Sequence, residues 1–258
     1  MFKKIKAAIL GKDYFDARII SDTNPKKAMS ILLTLAEAED PKAMMDLAVA
    51  YHMGYVCGSM NEIPKDFVKA AYWYEKLRNK KVLQAFELLW TLYLDAKDEP
   101  RAAKALIEAA NVGIQNSMRF LGICYLHGNL TLRENYSTGL SWIRKAAKTG
   151  DFYSQTVLAN IYREGKFVEQ DLIKAYMWCL IASSIEKNES YKEYQEALKN
   201  FREPIDSDFY ERMKPKEPSA GEAEIAKNEL SKILSKDQII KAQQMAETCV
   251  AVNYNGFD

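Results

Sequence analysis

Apolar and small residues recur along this chain at spacings of four and eight, a period typical of a buried helix face. Four tyrosines anchor the pattern, each preceded four residues earlier by Leu and eight residues earlier by Ala or Ser. Residues at these spacings share one side of an α-helix. The pattern therefore predicts four helices, each called a helix A. Their triplets are Ala43-Leu47-Tyr51, Ala85-Leu89-Tyr93, Ser117-Leu121-Tyr125 and Ser154-Leu158-Tyr162.

The ends of these helices are marked by glycine. Gly54, Gly128 and Gly165 each follow their Tyr by three residues, and Ala96 holds that place in the second helix A. The left-handed turn that closes a helix costs Gly little, so each Gly predicts a C-terminus. Gly122, directly after Leu121, is small enough to let a neighbouring helix approach closely.

A second helix, called helix B, follows each helix A after a connection of variable length. The step from a small marker residue in helix B to the small residue of the next helix A is fifteen residues each time. The same step back from Ala43 reaches Ala28, which indicates a half-unit. A fixed step between units and a variable loop within them is typical of stacked repeats. The helix B markers are Ala70, Ala102, Gly139 and Ala175; Trp73, Trp142 and Trp178 follow three of them and are interpreted as packing residues.

These recurring positions resemble the Sel-one-like repeat of bacterial proteins, a relative of the tetratricopeptide repeat. AMMDLAVAYHMG and SMRFLGICYLHG match its first helix, and WIRKAAKTG matches its second. The second unit, AFELLWTLYLDAKDEPRAAKALIEAANVG, lacks the turn Gly and has a shortened loop. The resemblance covers about residues 28–183. It implies an all-α fold: a right-handed superhelix, or α-solenoid, of stacked antiparallel helix pairs with capping helices at both ends.

The predicted organisation has four parts. A repeat array of about four repeats and a half-repeat occupies 25–202, after an N-terminal capping segment at 1–24. The stretch 203–221 contains Pro204, Pro215 and Pro218 among mixed charges and is interpreted as a linker. The closing residues, 222–258, contain SKDQIIKAQQMAE, which resembles the helix that often ends bacterial arrays, and are predicted to be C-terminal capping helices.

The net charge and the composition argue against some classes of function. Thirty-six basic and 35 acidic residues give a net charge of +1, which provides no large field for attracting nucleic acid. No window holds the ~20 apolar residues of a membrane span. The apolar run of 7–10 is too short for a signal peptide. We therefore expect a cytoplasmic protein that binds neither nucleic acid nor the membrane interior.

Sites for catalysis or metal binding are not apparent in the sequence. Four isolated cysteines and two histidines, His52 and His127, form no zinc pattern, and no cofactor motif is present. Isolated cysteines are expected to be buried small apolar residues, and the two histidines to be surface or groove residues. Some Sel-one-like proteins resemble β-lactam-hydrolysing secreted proteins with paired cysteines, which this chain lacks. We predict no enzyme; a hydrolase of β-lactamase-like type is the alternative from another class.

A concave groove lined by the A helices is the predicted binding surface. The resemblance to tetratricopeptide-like arrays implies four ligand-facing positions in each repeat, one just before the small residue and three after it. They mix apolar, aromatic and charged side chains, which suits a protein partner better than a polyanion. These residues are Lys42, Met45, Val49, His52, Gln84, Glu87, Thr91, Leu94, Asn116, Arg119, Ile123, Leu126, Tyr153, Thr156, Asn160 and Arg163. The long loop at 55–65 is a second candidate surface.

The leading functional hypothesis is a soluble adaptor or scaffold that binds a protein partner. A bacterial immunity protein that neutralises a cognate toxin is the alternative. The sequence does not identify the partner, the pathway or the oligomeric state. As groove residues, Arg119 and Arg163 are expected to tolerate replacement by Glu without loss of folding.

Overall fold

The described part of the chain is built almost entirely of helices. The computed structural model describes residues 14–56, 63–186 and 221–251. Twelve helices lie in these ranges, and many are 13 residues long. They are α1 (helical residues 14–20), α2 (Pro25–Glu37), α3 (Pro41–Met53), α4 (Phe67–Asn79), α5 (Leu83–Asp95), α6 (Glu99–Asn111), α7 (Gln115–His127), α8 (Tyr136–Lys148), α9 (Phe152–Glu164), α10 (Leu172–Glu186), α11 (Glu222–Leu230) and α12 (Lys236–Ala251).

Helices that are neighbours in sequence pack together as the repeat predicts. Helix A contacts helix B of the same repeat in the pairs α3–α4, α7–α8 and α9–α10. Helix B contacts the next helix A in the pairs α4–α5 and α8–α9, and the half-unit α2 packs on α3. The predicted α-solenoid fold of stacked antiparallel helix pairs is confirmed.

The connection from helix B to the next helix A has a constant length of three residues. These connections are 38–40, 80–82, 112–114 and 149–151. The middle residue of each has a left-handed backbone, with φ of 67° at Glu39, 61° at Lys81, 94° at Gly113 and 87° at Gly150. The connections within a repeat differ in length: 54–66, 96–98, 128–135 and 165–171. The predicted fixed step and variable loop are therefore confirmed.

The predicted helix ends are also confirmed. Gly54, Gly128 and Gly165 are left-handed C-caps with φ of 88°, 66° and 67°. In the second repeat Ala96 keeps a right-handed backbone, and the next residue, Lys97, takes the left-handed turn with φ of 58°. The turn is thus preserved without Gly but is shifted by one residue.

The backbones of α7 and α8 touch where two glycines face each other. A Cβ atom on Gly139 would lie 2.8 Å from the carbonyl oxygen of Gly122, and one on Gly122 would lie 2.9 Å from that of Gly139. Both distances are too short for a carbon–oxygen contact. The close helix approach expected from Gly122 is therefore present, with Gly139 as its counterpart.

The chain divides into two compact units, residues 1–109 and 110–258, called here the N-terminal and C-terminal units. Leu32, Met44, Leu47, Tyr74 and Leu77 are fully buried in the N-terminal unit. In the C-terminal unit one apolar cluster runs from α7 through α10 and includes residues of α11 and α12, and a smaller one joins Phe152, Ala182 and Ala223. Trp73 and Trp178 are each 4% exposed, as expected of packing residues. Residues 1–13, the middle of the 55–65 loop and nearly all of the predicted linker lie outside the described residues.

Candidate functional site

The sixteen predicted groove residues differ widely in their exposure. Lys42 and Gln84 are exposed. A second group is partly exposed: Met45, Val49, Glu87, Asn116, Tyr153, Asn160 and Arg163. The remainder are buried: His52, Thr91, Leu94, Arg119, Ile123, Leu126 and Thr156. A buried side chain offers no surface to a partner, so the first two groups are the ones able to make contacts.

Three predicted groove residues meet in the C-terminal unit, where α7 lies beside the start of α9. The guanidinium of Arg119 on α7 lies 4.6 Å from the ring centroid of Tyr153 on α9. Arg119 Nη2 donates a hydrogen bond to Asn116 Oδ1, and Nε lies 3.4 Å from Asp151 Oδ2. The Arg119 side chain is 5% exposed, whereas Asn116 and Tyr153 are partly exposed. Consecutive repeats thus contribute to one polar and aromatic cluster, called here the Arg119 cluster.

Arg119 is the buried residue that joins the members of this cluster. Two contacts hold its guanidinium in place: the cation–π contact with the Tyr153 ring and the solvent-shielded ion pair with Asp151. Its Nε and Nη1 atoms have no hydrogen-bond partner among the described residues. Asp151 also caps α9, because its Oδ2 accepts a hydrogen bond of 2.8 Å from the backbone N–H of Ser154. The sequence carries no signal for the pairing of Asp151 with Arg119.

The last two groove residues lie against the chain's own helix α11. Asn160 donates a hydrogen bond of 3.2 Å to Glu222 Oε1, and Arg163 Nη1 lies 3.7 Å from Glu229 Oε2. Both acidic residues belong to α11, which also packs on α10. The surface formed by the A helices is called here the A-helix face. This end of it is therefore covered by a capping helix.

His52 is a core residue of the N-terminal unit, although the sequence suggested a surface or groove position. It is 1% exposed, and its Nε2 lies 2.9 Å from Asp95 Oδ2. Its Nδ1 lies 3.5 Å from the hydroxyl of Tyr74, and the Phe67 ring meets the imidazole edge-on. Burial raises the pKa of the Tyr74 hydroxyl, which therefore stays protonated and is available as a donor. The group joins α3, α4 and α5.

Replacing His52 by Phe is expected to lower the stability of the N-terminal unit by about 2–3 kcal/mol. Phe keeps an aromatic ring at this position, but Asp95 Oδ2 loses the hydrogen bond from the imidazole. The other carboxylate oxygen, Asp95 Oδ1, already has no hydrogen-bond partner among the described residues. Urea unfolding monitored by circular dichroism measures the effect. The matched control is His127→Phe, since His127 is exposed and should change stability by less than about 0.5 kcal/mol. Equal losses in both variants would contradict the role of the Asp95 contact.

His127 and the cysteines have ordinary structural environments. His127 lies 5.7 Å from the Phe167 ring, and partial burial, together with the charge of Lys166, lowers its pKa. Cys124, Cys179 and Cys249 are buried, as expected, and burial raises the pKa of Cys124 and Cys179 to about 12. Across the described ranges, no cluster of three or more His, Cys, Asp or Glu is arranged to hold a metal ion. No helix there has the length and apolar character needed to cross a membrane.

Comparison with known proteins identifies the repeats. The Sel1 repeat family model matches residues 41–80, 115–151 and 153–184. These three segments are Sel1 repeats. The three matches correspond to the first, third and fourth repeats recognised from the sequence. The second, which lacks the turn Gly, falls between them. Sel1 repeats generally serve as protein-interaction modules and are typically non-enzymatic scaffolds.

Solved structures show the same fold in bacterial proteins. A protective antigen of uropathogenic Escherichia coli with an SLR fold has a TM-score of 0.60 and 19% identity over 93% of this chain. This chain spans only 46% of that antigen. A Sel1 repeat protein from Oxalobacter formigenes has a TM-score of 0.55 and 21% identity, over 68% of this chain and 73% of that chain.

An immunity protein from Pseudomonas aeruginosa is also similar, with 21% identity over 67% of this chain and 64% of that chain. Its TM-score of 0.38 is too low to support an argument about shared structure or role. The immunity alternative therefore stays a prediction.

Proposed function

We propose that this Sel1 repeat protein is a binding scaffold that holds a protein segment on its A-helix face. In the C-terminal unit the contact surface is centred on Asn116 and Tyr153. The observation that carries the proposal is the Arg119 cluster, in which groove positions from two consecutive repeats are brought together.

The physical properties of the cluster suit protein recognition. Tyr and Arg are enriched among residues that dominate binding energy, and Tyr combines an apolar ring with a hydrogen-bonding hydroxyl. The guanidinium beneath the Tyr153 ring restricts its rotamers before binding, so less conformational entropy is lost on contact. Asn116, whose Oδ1 accepts a hydrogen bond from Arg119, is partly exposed beside the ring. Clustered free cations, which a nucleic acid requires, are absent from this set of residues.

The N-terminal unit has candidate contact residues of its own. Lys42, Met45 and Val49 on α3 are exposed or partly exposed. They combine one positive charge with two apolar side chains, a mixture that fits an extended or helical protein segment. Each unit thus offers its own set of contact residues.

Site-specific photocrosslinking tests the proposal. A benzoylphenylalanine replacing Tyr153 preserves an aromatic ring at the centre of the cluster, and a second variant carries the photoreactive residue at Lys42. Irradiation in lysate of the cells that produce the protein, followed by mass spectrometry, should identify the same crosslinked protein from both positions.

The control carries the photoreactive residue at Val250 on α12, which is 52% exposed and distant in sequence from the A helices. Excess unlabelled protein should suppress crosslinking at 153 and 42 and leave the background at 250 unchanged. Crosslinks that form equally from 250, or that resist competition, would refute binding at the A-helix face.

A further inference from the structure

The outer face of α4, which belongs to a helix B and not to the A-helix face, exposes two apolar residues one turn apart. Val68 is 82% exposed and Tyr72 is 51% exposed. Residues four apart lie on one side of a helix, so the two side chains form a continuous apolar strip. Buried Trp73 meets the Tyr72 ring edge-on at 4.9 Å and anchors it to the fold.

The corresponding positions in the next two repeats do not form such a strip. Aligning the repeats on Ala70, Ala102 and Gly139 pairs Val68 and Tyr72 with two residues of α6 and two of α8. These are Pro100, Lys104, Ser137 and Ser141, and all four are exposed. The apolar pair is therefore a property of α4 and not a requirement of the repeat.

In the fourth repeat the same two positions are apolar again, and there they lie in the core of the C-terminal unit. They are Ile173 and Met177 on α10, the latter 2% exposed. Both belong to an apolar cluster that contains Ala242 and Met245 of α12, and α12 packs directly on α10. An apolar pair at these positions thus occurs on a helix B against which further helices, α11 and α12, pack.

Lysines flank the strip on α4. Lys76 Nζ lies 4.7 Å from the Tyr72 ring centroid and 4.9 Å from that of Trp73. Lys69 pairs with Asp66 at 2.9 Å and Lys80 with Glu39 at 3.1 Å. Among the described residues, Lys76 has no carboxylate within ion-pair distance, so it adds a positive charge beside the strip.

We propose that the outer face of α4 docks an amphipathic helix of a partner protein, with apolar residues along one side and Glu or Asp on its flanks. The apolar side covers Val68 and Tyr72. A flanking carboxylate pairs with Lys76. Matching charges beside an apolar seam set the orientation and the choice of partner in helix pairs.

Fluorescence anisotropy with two synthetic peptides tests this proposal. Each peptide is a helix of about 18 residues with Leu and Ala on one face. The flanks of one peptide carry Glu, and those of the other carry Lys at the same positions. The full chain should bind the acidic peptide at least about tenfold more tightly than the basic peptide.

The decisive variant is Val68→Ser with Tyr72→Ser, which installs the residues found at the same positions in the third repeat. Both side chains are exposed, so the melting curve should be unchanged, while binding of the acidic peptide should weaken roughly tenfold. The matched control is Ile225→Ser with Ile240→Ser, which removes two exposed apolar residues from the C-terminal unit and should leave binding unaltered.

Four results would overturn the proposal. Acidic and basic peptides could bind equally, or the serine pair on α4 could leave binding unchanged. The strip could instead serve another occupant. Sedimentation with phosphatidylserine vesicles that depends on Val68 and Tyr72 would indicate a membrane surface. A dimer in analytical ultracentrifugation that the serine pair abolishes would indicate a second copy of the chain. Because neither variant alters the A-helix face, the photocrosslinking result is independent of these outcomes.

Discussion

Replacing Gly139 by Val is expected to destabilise the C-terminal unit by more than about 3 kcal/mol. A Cβ atom there would lie 2.8 Å from the carbonyl oxygen of Gly122, and 2.8 Å from side-chain carbons of Leu126. Backbone atoms cannot move aside as a flexible side chain can, so α8 must shift away from α7 along its whole length. Urea unfolding followed by circular dichroism measures the loss.

The control for this variant lies on the same helix. Ser141→Val introduces the same side chain at an exposed position of α8 and should cost less than about 0.5 kcal/mol. Serine and valine have similar helix propensities, so the comparison isolates the steric effect. If Gly139→Val were as stable as Ser141→Val, the α7–α8 approach described here would be wrong.

Replacing Arg119 by Glu is expected to cost about 3–5 kcal/mol, the usual effect of removing one partner from a buried ion pair. The new carboxylate would be buried beside that of Asp151, and the stacking on Tyr153 would be lost. This differs from the expectation formed from the sequence, in which Arg119 was exposed and free to change. Thermal unfolding of the purified variant provides the measurement.

Arg163→Glu is the matched comparison for Arg119→Glu. The Arg163 side chain is 32% exposed and its contact with Glu229 spans 3.7 Å, so the loss should stay below about 1 kcal/mol. A third variant, Arg119→Met, removes the charge and keeps much of the length. It should be more stable than Arg119→Glu, because it buries no carboxylate beside Asp151. Equal melting temperatures for Arg119→Glu and Arg163→Glu would show that Arg119 is not buried as described.

Much of the fold follows from the sequence because burial on a helix has a period. Ala43, Leu47, Ala85, Leu89 and Leu121 were assigned to the buried face by spacing alone, and each is at most 1% exposed. The glycine caps can be predicted for a similar local reason, because a left-handed backbone conformation favours glycine at that one position. Such features depend on residues close in sequence and are therefore visible in it.

The exposure of groove residues depends on contacts between helices, and the sequence does not encode these locally. Arg119 is buried because Asp151, 32 positions later, begins the next helix A beside it. His52 is buried because Asp95 lies 43 positions away in the following repeat. The repeat pattern assigns groove residues by their position within one repeat, so it does not predict an ion pair with a residue of the next repeat.

The three-residue turns between repeats fix the rotation of each helix A about its own axis. Inserting one residue into 149–151 would rotate α9 by roughly 100° and turn Leu158 away from the core. The 128–135 connection within a repeat has no such constraint, because its length is not shared by the other repeats. New recognition loops can therefore be inserted there without rotating the helices about their axes.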